Sequence, residues 1–177
     1  MSDFRQQQRA CLRQAEGMSP EPITSMLIFE PIPPDELEEI RTAGLDEAGN
    51  RLPARTGTEG APLRCCLRES SPSERVLLIA YTPPGTSGAY AERGPLFIHA
   101  DPCDGYPAPH RYPPGLSGRQ QVVRAYDHAG RIADGVLAAD GDHAEAVIRE
   151  MLARPEVALV HLRNVGYGCY NFAVRRG

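Results

Sequence analysis

The chain has no lysine: all 19 of the basic side chains in its 177 residues are arginine. Without lysine there is no amine for a Schiff base to pyridoxal phosphate or to a carbonyl substrate, and no P-loop or kinase-type lysine for nucleotide phosphates. Arginine stays charged at any relevant pH, so proton transfer must rest on His, Cys, Tyr, Asp or Glu. Long apolar runs are missing too. The stretch Val76-Leu77-Leu78-Ile79-Ala80-Tyr81 is far too short to cross a bilayer, and the N-terminus lacks the apolar core of a secretory signal. These absences predict no membrane partner and a cytoplasmic location.

Positive charge is not concentrated either. The net charge is -4 with both signs interspersed, so no face offers what a phosphate backbone demands, and nucleic acid is not an expected partner. The 5 cysteines are odd in number and unevenly spaced. They match neither a secreted disulfide framework nor a CxxC or ribbon-type zinc pattern, and read as reduced thiols. Gly166-Tyr167-Gly168 lacks the third glycine of a dinucleotide fingerprint, and Gly85-Thr86-Ser87-Gly88-Ala89 misplaces the glycine of a serine elbow.

What is present suits one ordinary core: 41% of the residues are hydrophobic and no flexible linker divides them. We read a polar extension over residues 1–22, within which Met18 offers an alternative start, and a single globular domain over residues 23–177. Strands are expected over 25–32, 63–68, 75–82, 95–100, 120–126, 131–137, 157–163 and 169–174. Pro33-Pro34-Asp35-Glu36 opens a helix that Gly44 ends. A second helix over 142–153 carries the stripe Ala144, Val147, Ile148, Met151 and Leu152, with Asp142 and Glu145 as its capping pair. Asp127-His128-Ala129-Gly130 reads as a hairpin. Together these predict an α+β fold: a mostly antiparallel or mixed sheet of about six to eight strands with two main helices on one face.

Several blocks carry a family resemblance. They are Pro62-Leu63-Arg64-Cys65-Cys66-Leu67-Arg68, Ala89-Tyr90-Ala91-Glu92, Gly94-Pro95-Leu96-Phe97-Ile98-His99, Cys103, Arg124-Ala125-Tyr126-Asp127, Val160-His161-Leu162-Arg163 and Tyr167-Gly168-Cys169-Tyr170. From Pro62 onward the chain resembles a bacterial family known as domain of unknown function 1203. The resemblance implies a shared domain and a bacterial origin, and no chemistry.

The chemistry must come from the residues. Two expected strands run into the same pair of reactive side chains: Phe97-Ile98-His99 leads to Cys103, and the strand through His161 and Arg163 leads to Cys169. If those strands were neighbours, His99, Cys103, His161 and Cys169 would form a tetrahedral zinc set, but loop spacings of three and seven residues match no standard motif. No metal or cofactor is assigned on this basis. Each histidine also has an ordinary reading as a core imidazole.

The leading expectation is an enzyme-like domain binding a small, anionic metabolite beneath the loops 83–94 and 101–118, which hold Tyr90 and Tyr106. In it Cys169 is the nucleophile, His161 and His99 move protons and Glu92 is a further acid or base. Arg64 and Arg163 orient the ligand, and Tyr90 and Tyr126 close over it. A His/Cys metal-binding module and a non-catalytic ligand-binding or protein-interaction domain are the alternatives. Arg124 is expected to pair with Asp127. Strand alternation lets only one of Cys65 and Cys66 face the core, and both read as packing, since a disulfide between neighbours is strained.

Overall fold

The computed structural model describes residues 26–57 and 59–177. The polar extension and Met18 lie outside them. In chain order the elements are β1 (Leu27–Glu30), α1 (Pro34–Ala43), β2 (Arg55–Thr56), β3 (Pro62–Leu63), β4 (Arg68–Glu69), β5 (Arg75–Tyr81) and β6 (Gly94–His99). There follow β7 (Gln121–Asp127), β8 (Ile132–Ala138), α2 (Gly141–Ala153), β9 (Val157–Asn164) and β10 (Tyr170–Arg176). The fold is α+β. Its strands divide into two five-stranded sheets, ordered β1-β10-β9-β7-β8 and β2-β5-β6-β3-β4. All pairings are antiparallel except that of β3 with β6. Of the two strands beyond the eight expected, one is the two-residue β2 and the other arises because β3 and β4, two residues each, stand where one strand was expected over 63–68; pieces so short show no alternation.

Each sheet has its own helix. The stripe of α2 is buried against Val123, Ala125, Val160, Leu162, Phe172 and Val174 of the first sheet. Each large side chain so buried contributes about 2 kcal/mol. The cap lies two residues before the expected Asp142: Asp140 Oδ1 accepts from His143 N at 2.9 Å, and His143 Nδ1 accepts in return from Ala139 N at 3.3 Å. Helix α1 starts at Pro34 and is capped after Ala43 by Gly44, whose φ of 61° is the left-handed conformation that favours glycine. Its Leu37 and Ile40 join a second core with Leu63, Ile79, Leu96 and Ile98, into which β10 also places Tyr170 and Ala173. This second core therefore bridges the two sheets. No helix among the described residues is long and apolar enough to cross a membrane.

The expected strand over 63–68 is instead a reversal. β3 and β4 pair antiparallel with Leu63 opposite Arg68, and Leu67 N donates to Leu63 O at 3.0 Å. Leu67, at φ 55°, is the only non-glycine residue with positive φ among the described residues, a conformation costing roughly 1–3 kcal/mol. In a turn there is no alternation of faces, and both Cys65 and Cys66 are buried, at 1% and 8% exposure.

Candidate functional site

The two histidine strands are not neighbours. β6 lies in the second sheet and β9 in the first, so the tetrad considered from sequence divides. His99 goes with Cys103, and the turn after β3 adds Cys65 and Cys66 to them; His161 and Cys169 lie elsewhere.

Strand pairing explains the first group. β3 runs parallel to β6 with Leu63 beside Phe97, and Arg64 N donates to Phe97 O at 2.9 Å. The turn that follows must then lie beside His99 at the strand's end, and the chain leaving β6 returns Cys103 to the same point. One ligand atom from each of Cys65, Cys66, His99 and Cys103 lies within 4.8 Å of every other. Cys65 Sγ is 3.9 Å from Cys66 Sγ and 3.4 Å from His99 Nδ1, and Cys66 Sγ is 3.8 Å from the same nitrogen. A tetrahedral zinc ion with Zn–S near 2.3 Å and Zn–N near 2.0 Å would hold sulfurs about 3.8 Å apart and sulfur and nitrogen about 3.6 Å apart. The three edges, at 3.9, 3.4 and 3.8 Å, lie within about 0.2 Å of those figures.

The surroundings suit an anionic centre. His99 Nε2 lies 3.3 Å from Glu74 Oε1, and a proton on Nε2 donated to that carboxylate leaves Nδ1 bare toward the thiols. Arg68 donates to Glu74 through both terminal nitrogens. Arg41 Nε donates to His99 O at 3.1 Å, while its Nη2 is buried without a partner among the described residues. The Cys66 thiol is pulled below its ordinary pKa by the hydrogen bond from Cys65 and by nearby Arg68, against the effect of burial. The Cys65 thiol is pushed up by that same hydrogen bond and by desolvation. Burial also raises Cys103. Cys103 lines two surface clefts of about 520 and 420 Å³, one along α1 and one beside Glu74 and Asp101, so the cluster has a route to solvent.

A second group of reactive side chains lines a cleft of about 340 Å³ between the sheets, walled by Tyr81 and Leu96 on one side and Arg124, Arg163 and Tyr170 on the other. Glu92, on the loop between β5 and β6, reaches Arg124 Nη1 with Oε1 at 2.8 Å and Arg163 Nη2 with Oε2. The expected Arg124–Asp127 pair does not form. Three residues apart on one strand they point to opposite faces, and Asp127 instead takes the Arg131 guanidinium and the N–H groups of Ala129 and Arg131.

The other expected residues are placed as follows. Cys169 lines the cleft, and among the described residues its Sγ makes only a 3.8 Å polar contact, with Tyr167 O. His161 is not joined to it by any hydrogen bond among the described residues. It is fully buried between the rings of Tyr126 and Tyr170, at 4.5 and 4.9 Å, and Nε2 meets Pro84 O at 2.9 Å. Desolvation, with Arg163 and Arg124 nearby, holds its pKa down to about 3 despite that hydrogen bond, so the ring is neutral. Tyr126 is itself fully buried against the His161 ring and does not line the cleft. Tyr90 is half-exposed on the Gly88–Tyr90 turn of the loop that carries Glu92. Tyr106 packs on the helix-side core, and no residue of its loop lines this cleft. Arg64 is 2% exposed and donates to the carbonyls of Tyr170 and Pro62, with no carboxylate partner among the described residues. Sequence reasoning missed Cys65, Cys66 and Glu74. The adjacent Cys-Cys pair was the available signal, hidden by reading its segment as a strand.

Residues 60–176 match the family described as protein of unknown function (DUF1203), and the chain belongs to that family. No curated protein and no solved structure matches it.

Proposed function

For this member of the DUF1203 family, we propose that the domain is a metal-binding module whose centre is formed by Cys65, Cys66, His99 and Cys103. Zinc(II) is the ion that best fits. The observation that carries this reading is the meeting of three thiols and one imidazole within 4.8 Å, from segments far apart in sequence. Three sulfurs and one nitrogen as donors favour zinc over the hard, oxygen-seeking cations. Four protein ligands leave no open position for a substrate, so the centre's role is to hold structure. It would tie the Cys65–Cys66 turn, the end of β6 and the loop 101–118 together. That loop then crosses to the first sheet, where Phe29 N donates to Pro109 O at 2.7 Å. Three thiolates, a neutral imidazole and a dication sum to one negative charge, which Arg68 and Arg41 are placed to offset.

Elemental analysis of protein purified under reducing conditions without added metal tests this. About one zinc per chain is expected, lost in C65S, C66S and C103S and kept in C169S. Protein that carries no stoichiometric metal, and whose cobalt(II) titration shows no thiolate charge-transfer band, would overturn the reading. So would a stable disulfide among these cysteines in freshly reduced protein.

A further inference from the structure

The cleft between the sheets has more positive charge than its one carboxylate can meet. Arg124 on β7 and Arg163 on β9 lie on adjacent strands and share Glu92 between them. The other arginine of the cleft wall, Arg93, is drawn instead toward Glu47, at 3.7 Å. The Arg163 side chain is only 9% exposed, donates Nε to Gly168 O at 2.9 Å, and keeps Nη1 buried without a hydrogen-bond partner among the described residues. A guanidinium so enclosed is costly unless its charge and donors are met. Glu92, by contrast, stands on a loop, has a side chain 43% exposed, and among the described residues has only the two arginines as side-chain partners.

We infer that this cleft is a seat for a small dicarboxylate, and that Glu92 sits in it as a built-in stand-in which the ligand displaces. One ligand carboxylate takes the bridging position of Glu92, with one oxygen to each arginine. The second carboxylate brings the negative charge that Glu92 alone does not supply. A volume of about 340 Å³ is at the lower end for small-molecule sites, which suits a compact metabolite. Displacing Glu92 also frees the end of the loop that carries Tyr90. Cys169 lines the same wall, so its thiol reports whether the seat is filled. The inference is independent of the metal centre, since no residue of that centre lines this cleft.

Calorimetric titration with malonate of the full chain and two variants tests it. E92Q removes the charge of the internal competitor and is expected to bind malonate about tenfold tighter than wild type or better; E92Q/R124Q is expected to lose at least that gain. If E92Q binds no tighter than wild type, or the double variant binds as tightly as E92Q, Glu92 is a structural ion pair and the inference fails. A second readout needs no substitution: malonate should slow alkylation of Cys169 in wild type, followed by mass spectrometry of its peptide, where chloride at equal ionic strength does not. Absence of that protection also overturns the proposal, and phosphate binding more tightly than malonate overturns the dicarboxylate assignment.

Discussion

Glu74 meets His99 at ring nitrogen Nε2, 3.3 Å from Oε1, and this contact sets which nitrogen of the imidazole faces the three thiols. Arg68 Nη2 lies 3.2 Å from the same nitrogen, but guanidinium and imidazole N–H can both donate to the carboxylate they share. A carboxylate in this position orients the ring and strengthens it as a ligand. Glu74→Gln should therefore weaken zinc affinity by about tenfold or more while leaving one site per chain. Competition against a chelator of known affinity checks this, and unchanged affinity would remove Glu74 from the centre.

His161 should make the protein sensitive to mild acid. Its pKa is held down to about 3 in the fold against an ordinary 6.5, so between those values the unfolded chain binds a proton that the folded chain refuses. The stability this buried, neutral ring permits is complete above pH 6.5 and is lost as pH falls toward 3, at up to about 1.4 kcal/mol per pH unit. A series of urea melts between pH 7 and 4.5 should show the slope in wild type and a flatter one in His161→Gln. Equal slopes would mean that water reaches the ring.

Asp46 has the same sign of pH dependence in a lower window. It is 7% exposed and accepts from Ala48 N, Asn50 N, Asn50 Nδ2 and Ala80 N. Burial raises its pKa, but these four bonds win and hold it down to about 2. Its contribution is full above pH 3.8 and disappears as pH falls to about 2. Asp46→Ala strands those donors and should cost about 1–3 kcal/mol near neutrality, measured by chemical denaturation.

Gly85 tests how closely the Glu92 loop is laid on the first sheet. Its φ is +74°, and a Cβ there would meet Leu159 Cδ2 at 2.0 Å. Gly85→Ala combines a strained backbone with overpacking and should destabilise by about 2–4 kcal/mol. It should also disturb the neighbouring contact of Pro84 O with His161. A melting temperature within error of wild type would show that the loop can lift away.

Local patterns carried much of the fold. The stripe of α2 and the near-continuous run of β5 were readable because helices and buried strands repeat their apolar residues within one segment. The turn at 64–67 was not readable: it contains no glycine, proline, asparagine or aspartate, and its left-handed residue is Leu67, which local chemistry disfavours. The reversal is held by the pairing of β3 with both β4 and β6, contacts the segment itself does not encode.

The same division runs through the candidate sites. Sequence alone determined the available chemistry: no lysine, five cysteines, and histidines and arginines placed on strands. Side-chain chemistry belongs to the residue and does not depend on folding. Tertiary structure decided which groups meet. By placing β6 and β9 in different sheets it parted His99 from His161, and by parallel pairing it brought Cys65 and Cys66 to His99. It turned Glu92, rather than Asp127, toward Arg124 and Arg163. Strand order is set by the burial of whole faces against one another, a sum over distant residues that no local window contains.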